Sequence, residues 1–226
     1  MTSHVLDRPP LNAMLTRHSH LAVGGPRALR YRPDISPFAG MADDSDEALC
    51  DLTALIPESG VILVAQPEKQ KVPPGAAAEH VVEVVQMVAE TVSAPDEHVN
   101  FLELSDADAG EMLALATLTK PGPFAARTHD FGGYVGIRAE GKLVAMAGHR
   151  FQVPGFTEVS AVCTDPGFRG KGYAGFLTRL VAGRIMARGE TPFLHNYATN
   201  TNAIRLCETL GFVYRTSLWV SVLRRA

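Results

Sequence analysis

Two glycines alternate with two basic residues in the segment Arg169-Gly170-Lys171-Gly172. Glycine has no Cβ and adopts backbone angles that other residues avoid, so the N–H groups of such a turn can converge on one point. A helix is predicted to start directly after the turn, and the first N–H groups of a helix have no partner inside it. Together with the positive end of the helix dipole, these groups form a binding site for a pyrophosphate. The turn alone is weak evidence, because any tight strand-to-helix turn can use two glycines.

A second motif occupies residues 200–212, in a predicted short helix that ends at Gly-Phe. Its matching positions are Asn200, Ala203, Leu206, Leu210, Gly211 and Phe212. Combined with Arg169, Gly172 and Ala174 in the first motif, the sequence resembles the GNAT superfamily of acyl-CoA-dependent N-acyltransferases, in which the two motifs have the same order and separation. Residues 158–164 and 191–195 look most similar to the glycine-N-acyltransferase-like branch. One position departs from the family pattern, since Cys207 replaces the usual tyrosine of the second motif.

The resemblance implies a mixed α/β fold, with a mostly antiparallel sheet and helices on both faces. It also implies an N-acetyltransferase that moves an acetyl or acyl group from acetyl-CoA to a primary amine of a small molecule or amino acid, by direct attack in a ternary complex. No metal is implied. The acceptor stays open, because fold analogy does not identify a substrate. A non-catalytic acyl-CoA-binding regulatory module is the alternative, which the substitution at Cys207 leaves open.

By the same resemblance, the pantetheine arm of coenzyme A lies between two parallel strands that diverge. These strands are predicted at residues 159–164 and 193–196, and their exposed backbone N–H groups would bind the arm and polarise the thioester carbonyl. The predicted cofactor contacts are Val162, Cys163, Thr164, Arg169, Gly170, Lys171, Gly172, Tyr173, Ala174, Asn200 and Ala203. Asn200 is also a candidate N-cap of its helix.

Glu158 is the candidate general base. It begins the first of these strands, and by alternation it shares a side with Ser160 and Val162. The ordinary pKa of a glutamate side chain is about 4.3, so Glu158 would need burial or a bridging water to accept a proton efficiently near neutral pH. The alternative interpretation is a carboxylate at a strand end that only orders a neighbouring loop.

Two further side chains are candidates for proton transfer. His195 ends the second strand and could serve as base or acceptor contact, although a lone histidine at such a place is more often structural. Cys207 could protonate the departing thiolate, since a thiol titrates at about 8.5. An apolar helix position, with water as the acid, is the favoured interpretation of Cys207.

The composition is that of an ordinary globular protein of 226 residues with a formal net charge of −3. This charge argues against a nucleic-acid-binding surface. The three cysteines, at 50, 163 and 207, suggest neither a disulfide framework nor a zinc site. With no signal pattern and no apolar run of membrane length, the expected location is cytoplasmic. The expected partner is the small amine or amino-acid acceptor, with no nucleic acid and no membrane, and a homodimer is left open.

Residues 1–95 are predicted to form an N-terminal α/β segment with a Pro-rich linker at 67–78. Before the linker we expect a strand at 28–31, a helix with its cap and acidic first turn at 43–47 that ends before Pro57, and a short strand at 61–65. After it, the segment 81–92 is ambiguous between strand and helix, and its many valines favour strand. The N-terminal segment as a whole is either a degenerate GNAT-like half or a supporting layer.

Residues 96–226 are predicted to be the N-acetyltransferase domain. Its elements in order are a strand at 101–104, a helix that ends before 121–123, a hairpin of 134–138 with 143–150, the two motif strands and helices, and a closing strand at 217–223.

Overall fold

The structure of the protein is a computed structural model that describes residues 4–95 and 99–226. Its helices are α1 (Pro9–Met14), α2 (Asp46–Ala54), α3 (Ala109–Thr119), α4 (Tyr173–Ala187) and α5 (Thr201–Thr209). Its strands are β1 (Ala22–Gly24), β2 (Ala28–Tyr31), β3 (Phe38–Met41), β4 (Ile62–Gln66), β5 (Ala76–Val88), β6 (Leu102–Glu103), β7 (Val135–Ala139), β8 (Lys142–Val153), β9 (Phe156–Thr164), β10 (Thr191–Tyr197) and β11 (Val213–Arg225).

The chain forms two compact units. The first unit contains the described residues up to Val85 together with Phe151–Pro154 and Thr216–Ala226, and the second contains the described residues of Gln86–Arg150 and Gly155–Arg215. Strands β5, β8 and β11 each contribute residues to both units. The predicted start of the second domain, residue 96, lies outside the described residues, and the division into two domains stays a prediction.

In the first unit the strand order is β1-β2-β3-β4-β11-β5. Helix α2 connects β3 to β4, and these two strands pair in parallel. Ser45 starts the helix, since its Oγ accepts a hydrogen bond from the N–H of Ala48 at 3.3 Å. The apolar face of α2 packs with β2, β3 and β4 in one buried cluster. The predicted helix and both predicted strands of this region are confirmed, whereas α1, β1 and β3 carry no sequence signal that was recognised.

In the second unit the strand order is β11-β5-β10-β9-β8-β7-β6. Strands β7 and β8 form the predicted antiparallel hairpin, and β9 and β10 are parallel, with α4 as the connection between them. The valine-rich segment 81–92 is strand as far as Val88, as its composition favours, and β5 already begins inside the predicted linker. Among the described residues, no helix combines the length and the apolar character needed to cross a bilayer.

Helices cover two separate apolar clusters of the second unit. Helix α4 buries Phe176, Leu177, Val181 and Ile185 in a cluster that also receives residues of α5. Helix α3 contributes Met112, Leu115 and Ala116 to a second cluster, with Tyr134 and side chains of β8 and β9. The predicted fold class is confirmed: a mixed α/β fold with a mostly antiparallel sheet and helices on both faces.

Candidate functional site

The parallel strands β9 and β10 pair over only part of their length. Their register ends where Phe193 pairs with Glu158. Both strands are fully described and continue past that pair, β9 to Thr164 and β10 to Tyr197. The strands therefore separate beyond Glu158 and Phe193, and backbone groups that a continued ladder would use face the gap between them. These are the two strands for which the resemblance predicts a diverging pair.

Ala161 interrupts the alternation of β9. Its φ is +54°, which is uncommon for a residue with a side chain and within a strand marks a bulge. As a result, Val159 and Val162 both pack in the cluster covered by α4, whereas Ala161 and Cys163 pack on the side of α3. The prediction that Glu158 shares a side with Val162 is therefore wrong, because the bulge reverses the alternation between these two positions.

The glycine turn leads directly into α4, as predicted. Gly170 and Gly172 both have a φ of +78°, in the left-handed region that favours glycine. A Cβ on either residue would meet no atom within 4 Å, so the space next to the turn is open. Gly172 precedes α4 and provides no side-chain cap. The first N–H groups of α4 are thus available to an anion, and the side chains of Arg169 and Lys171 are exposed beside them.

The remaining predicted cofactor residues lie next to these features. Thr164 ends β9, and in the described part of the chain its buried hydroxyl oxygen has no hydrogen-bond partner. Tyr173 and Ala174 are half-buried in the first turn of α4. Asn200 is confirmed as the N-cap of α5, because its Oδ1 accepts a hydrogen bond from the N–H of Ala203 at 3.2 Å. That these residues contact a cofactor stays a prediction.

Glu158 has a fully buried side chain and two basic neighbours. Arg150 donates two hydrogen bonds to its carboxylate, from Nε to Oε2 at 2.8 Å and from Nη2 to Oε1 at 2.6 Å. Nδ1 of His195 lies 2.6 Å from Oε1. Burial by itself would raise the pKa of Glu158, but the charge and hydrogen bonds of Arg150, together with the hydrogen bond from His195, outweigh it and lower the pKa to about 2. So weak a base is poorly suited to accept a proton near neutral pH, and the geometry disfavours Glu158 as general base.

The structure adds two more residues to this group that, like Arg150, sequence reasoning missed. Nε2 of His195 lies 3.0 Å from the side-chain amide nitrogen of Gln86, which is fully buried in β5. The amide oxygen of Gln86 in turn accepts a hydrogen bond from Nη1 of Arg215 at 2.7 Å. One signal was present in the sequence, since Gln86 is the single amide side chain within the apolar run 84–89.

Two predicted site residues, Cys163 and Cys207, have buried thiols. Cys207 lies on the apolar face of α5, and its Sγ is 3.5 Å from Nδ2 of Asn196. Burial raises its pKa, so the thiol is a poorer acid than in water. Burial also raises the pKa of Cys163, to about 11, despite a hydrogen bond with Thr119. Cys163 therefore faces α3 with its side chain, and only its backbone is suited to the predicted contact. The role of Cys207 as an acid stays a prediction.

Elsewhere in the second unit, Asp106, His129 and Asp130 place three possible metal-ligand atoms within 4.8 Å of one another. Arg127 lies between the carboxylates, with guanidinium nitrogens 3.1 Å from Asp106 and 2.7 Å from Asp130. Nε2 of His129 is 2.6 Å from Asp106. These acidic groups already have cationic or hydrogen-bonding neighbours, and the cluster is explained as a surface ion-pair network.

Comparison with known proteins supports the interpretation of these motifs. A family model described as "FR47-like protein" matches residues 134–220. No curated protein matches the chain. A solved structure from Novosphingobium aromaticivorans DSM 12444, assigned there as an acetyltransferase from the GNAT family, is 38% identical, with a TM-score of 0.93 over 99% of this chain and 100% of that chain.

Two more distant structures share the fold. A GCN5-related N-acetyltransferase from Kribbella flavida is 18% identical, with a TM-score of 0.64 over 94% of this chain and 93% of that chain. An acetyltransferase from the GNAT family from Colwellia psychrerythraea is 13% identical, with a TM-score of 0.54 over 99% and 98% of the two chains. At these identities the similarity is one of fold alone.

Proposed function

The chain belongs to the GNAT family, and we propose that it acetylates the primary amine of a small molecule or an amino acid with acetyl-CoA as the acyl donor. The observation that carries this proposal is the separation of β9 and β10 beside a helix start with two left-handed glycines. A gap between parallel strands accommodates a narrow, linear group, and the helix start accommodates an anion. Coenzyme A combines both features in one molecule.

The residues of the site fit coenzyme A in charge and hydrogen-bonding capacity. The N–H groups at the start of α4 would bind the pyrophosphate, with Arg169 and Lys171 adding positive charge at the edge. Backbone groups of Val162, Cys163 and Thr164 would bind the pantetheine arm, and the buried hydroxyl of Thr164 has an unused hydrogen-bonding capacity. Acetyl-CoA would supply the acetyl group as a thioester.

We assign the role of general base to His195 and a positioning role to Glu158. A carboxylate only accepts hydrogen bonds, so the 2.6 Å contact places a hydrogen on Nδ1 of His195. In the neutral ring the lone pair is then on Nε2. An attacking amine must lose a proton, and Nε2 is the atom that would take it. Glu158 holds the ring in this tautomer, as a carboxylate beside a catalytic imidazole does in hydrolases.

The proposal also names an acceptor class and the acid that protonates the departing thiolate. The resemblance of residues 158–164 and 191–195 to the glycine-N-acyltransferase-like branch supports amino acids as the first acceptors to test. Water is the preferred acid for the departing thiolate, because burial makes Cys207 a poor proton donor. Orienting the two reactants supplies the largest part of the rate, since well-oriented attack is worth roughly 7–11 kcal/mol.

Thiol release from acetyl-CoA tests the proposal, with a panel of amino acids and small primary amines as acceptors. Amine-dependent release together with the acetylated product is expected. Calorimetric titration with coenzyme A and acetyl-CoA is the companion measurement. Binding without release for any amine would favour the regulatory module instead, and an absence of binding to folded protein would contradict both candidate functions.

A further inference from the structure

Five polar side chains form a row across five successive strands of the second unit. In strand order they are Arg150 on β8, Glu158 on β9, His195 on β10, Gln86 on β5 and Arg215 on β11. Each one is within hydrogen-bond distance of the next, with the shortest distance of each pair between 2.6 and 3.0 Å. Buried polar groups in such a network destabilise the folded protein unless every donor faces an acceptor. The order of the side chains in the row therefore fixes which atoms carry hydrogens.

Both ends of the row are arginines, and arginine has donors and no acceptor. At one end, Arg150 and the ionised carboxylate of Glu158 form a bidentate pair, and Glu158 then accepts from Nδ1 of His195. At the other end, Arg215 donates to the amide oxygen of Gln86. The amide group of Gln86 is thereby oriented with its NH₂ group towards Nε2 of His195, 3.0 Å away.

A second proton on His195 conflicts with this orientation. An N–H on Nε2 would point at the N–H of Gln86, and two donors cannot form a hydrogen bond with each other. An unprotonated Nε2 can accept the hydrogen bond from Gln86, so the neutral ring with its hydrogen on Nδ1 satisfies both neighbours. Besides His195, the charged or titratable side chains of the row are Arg150, Glu158 and Arg215. Tyr134 and Tyr197 are near enough to Arg150 to interact with its charge. The ring of Phe193 packs edge-on to the imidazole at 5.7 Å.

We propose that Gln86, oriented by Arg215, is a positioning residue that keeps Nε2 of His195 free of a proton, although a buried carboxylate lies on the other ring nitrogen. The meaning of this arrangement for turnover rests on the proposed function. A base must be unprotonated before it acts, and the amine of the acceptor would compete with Gln86 for the same lone pair. After proton transfer, the N–H of Gln86 favours the return of His195 to the neutral form.

The ¹⁵N NMR signals of ¹⁵N-histidine-labelled full-length protein test the proposal without acceptor or acetyl-CoA. The His195→Gln variant assigns the signals. At pH 7 we expect Nδ1 of His195 to have the chemical shift of a protonated ring nitrogen and Nε2 to have that of an unprotonated one. Arg215→Met should release the amide of Gln86, whose oxygen can then turn to Nε2, and both ring nitrogens should become protonated. Gln86→Glu should have the same effect, because it presents a carboxylate to Nε2.

Two variants provide the controls. Arg215→Lys keeps a donor for the amide oxygen and should preserve the wild-type signals. Arg188→Met removes an exposed arginine at the end of α4 and should leave them unchanged. Circular dichroism and thermal melting identify any variant that fails to fold, and Gln86→Glu serves in place of Arg215→Met if the latter does. A protonated Nε2 in the wild-type protein, or a bare Nε2 in folded Arg215→Met, would overturn the proposal.

Kinetics give a second measurement, provided the protein turns over. Arg215→Met should lower kcat/KM for the acceptor at pH 7 by roughly tenfold or more, since a positioned base contributes about 10²–10⁴-fold. The loss should shrink as the pH is raised, with the KM for acetyl-CoA unchanged. A loss that is the same at every pH would indicate a structural role and contradict the proposal. If no amine is acetylated, the proposed function fails, while the NMR result still decides the protonation of His195.

Discussion

Val159 and Val162 lie three residues apart in one strand, and yet both side chains pack in the same hydrophobic cluster. In a regular strand an odd separation places two side chains on opposite faces. The positive φ of Ala161 accounts for the difference, because the bulge there reverses the alternation. The bulge occurs in the part of β9 that has left its register with β10. We infer that it helps to present the N–H groups of residues 161–164 to the gap.

The first prediction concerns Ala161 itself. Ala161→Gly should leave stability unchanged or raise it slightly, since glycine adopts a positive φ without strain. Ala161→Val should destabilise the protein by about 1–2 kcal/mol or more, because a β-branched residue is strained in this region. Urea unfolding measures both changes. If the bulge shapes the gap, Ala161→Val should also weaken acetyl-CoA binding in calorimetry. Equal stabilities of the two variants would show that the φ of Ala161 imposes no strain.

The second prediction separates ligand binding from backbone strain at the start of α4. Gly172→Val should cost roughly 1–2 kcal/mol of stability for its left-handed conformation and abolish binding of coenzyme A, because the new side chain would occupy the open space next to the turn. Gly189 provides a matched control at the other end of the same helix, with a φ of +76° and likewise no atom within 4 Å of a built Cβ. Gly189→Val should cost a similar stability and keep the affinity. Unchanged coenzyme A affinity in Gly172→Val would contradict the proposed anion site.

The third prediction concerns the buried ion pair of Glu158 and Arg150. Glu158→Gln leaves a buried guanidinium without a carboxylate, and removing one partner of such a pair typically costs about 3–5 kcal/mol. Combining it with Arg150→Met should restore part of this loss, which a double-mutant cycle of urea unfolding measures. The pair of Glu103 and Arg184 is the exposed control, with side-chain exposures of 64% and 37%. Glu103→Gln should change stability by less than about 1 kcal/mol. Additive effects at Glu158 and Arg150 would mean that the two side chains do not stabilise each other.

The fourth prediction is a pH dependence that arises in the first unit. His18 is buried, with its Nδ1 3.0 Å from the hydroxyl of Tyr31, and burial, followed by the charges of His20 and Arg17, lowers its pKa from 6.5 to about 4. Between these values the unfolded chain binds the proton and the folded chain does not. The free energy of unfolding should therefore fall as the pH falls from 6.5 towards 4.

Urea unfolding at several pH values measures this slope. His18→Gln should flatten it between pH 6.5 and 4, since the variant has no group to titrate at that position. His20→Gln replaces an exposed neighbour and should largely preserve the slope. An equal slope in wild type and His18→Gln would exclude His18 as its source.

The fifth prediction concerns Cys207. Because its thiol is buried and a poor acid, Cys207→Ala should keep the rate of turnover within about twofold and lower stability by about 1 kcal/mol, the typical cost of a small change in a core. Steady-state thiol release and thermal unfolding measure the two effects. Loss of a general acid slows turnover by roughly two orders of magnitude. A loss of that size in Cys207→Ala, with stability unchanged, would identify Cys207 as the acid.

Local rules explain why much of the fold could be predicted. The glycine turn, the Asn200 cap, the Ser45 cap and the hairpin of β7 and β8 each depend on residues close in sequence, so their signals are present in short segments. The pattern of apolar residues in α4 likewise depends only on the helical period. The identity of the family followed from two such local motifs, taken in order.

The alternation in β9 could not be predicted from local signals. The positive φ of Ala161 reverses the alternation there, and nothing about an alanine indicates a positive φ. Glu158 was predicted correctly to lie in this strand, although β9 already begins at Phe156, and its environment was not predicted. Burial and a bidentate arginine made it a weak base, and Arg150 comes from a different strand.

The sequence by itself determined the glycine turn, the helix behind it and the two strands on either side, because each depends on backbone preferences within a few residues. The tertiary structure alone decided that Arg150, Glu158, His195, Gln86 and Arg215 form one row. Their contacts depend on the strand order β8-β9-β10-β5-β11 and on the register of each pair. Residues 86 and 215 are far apart along the chain, and only the pairing of strands brings an amide and a guanidinium into the contact that sets the hydrogens of His195.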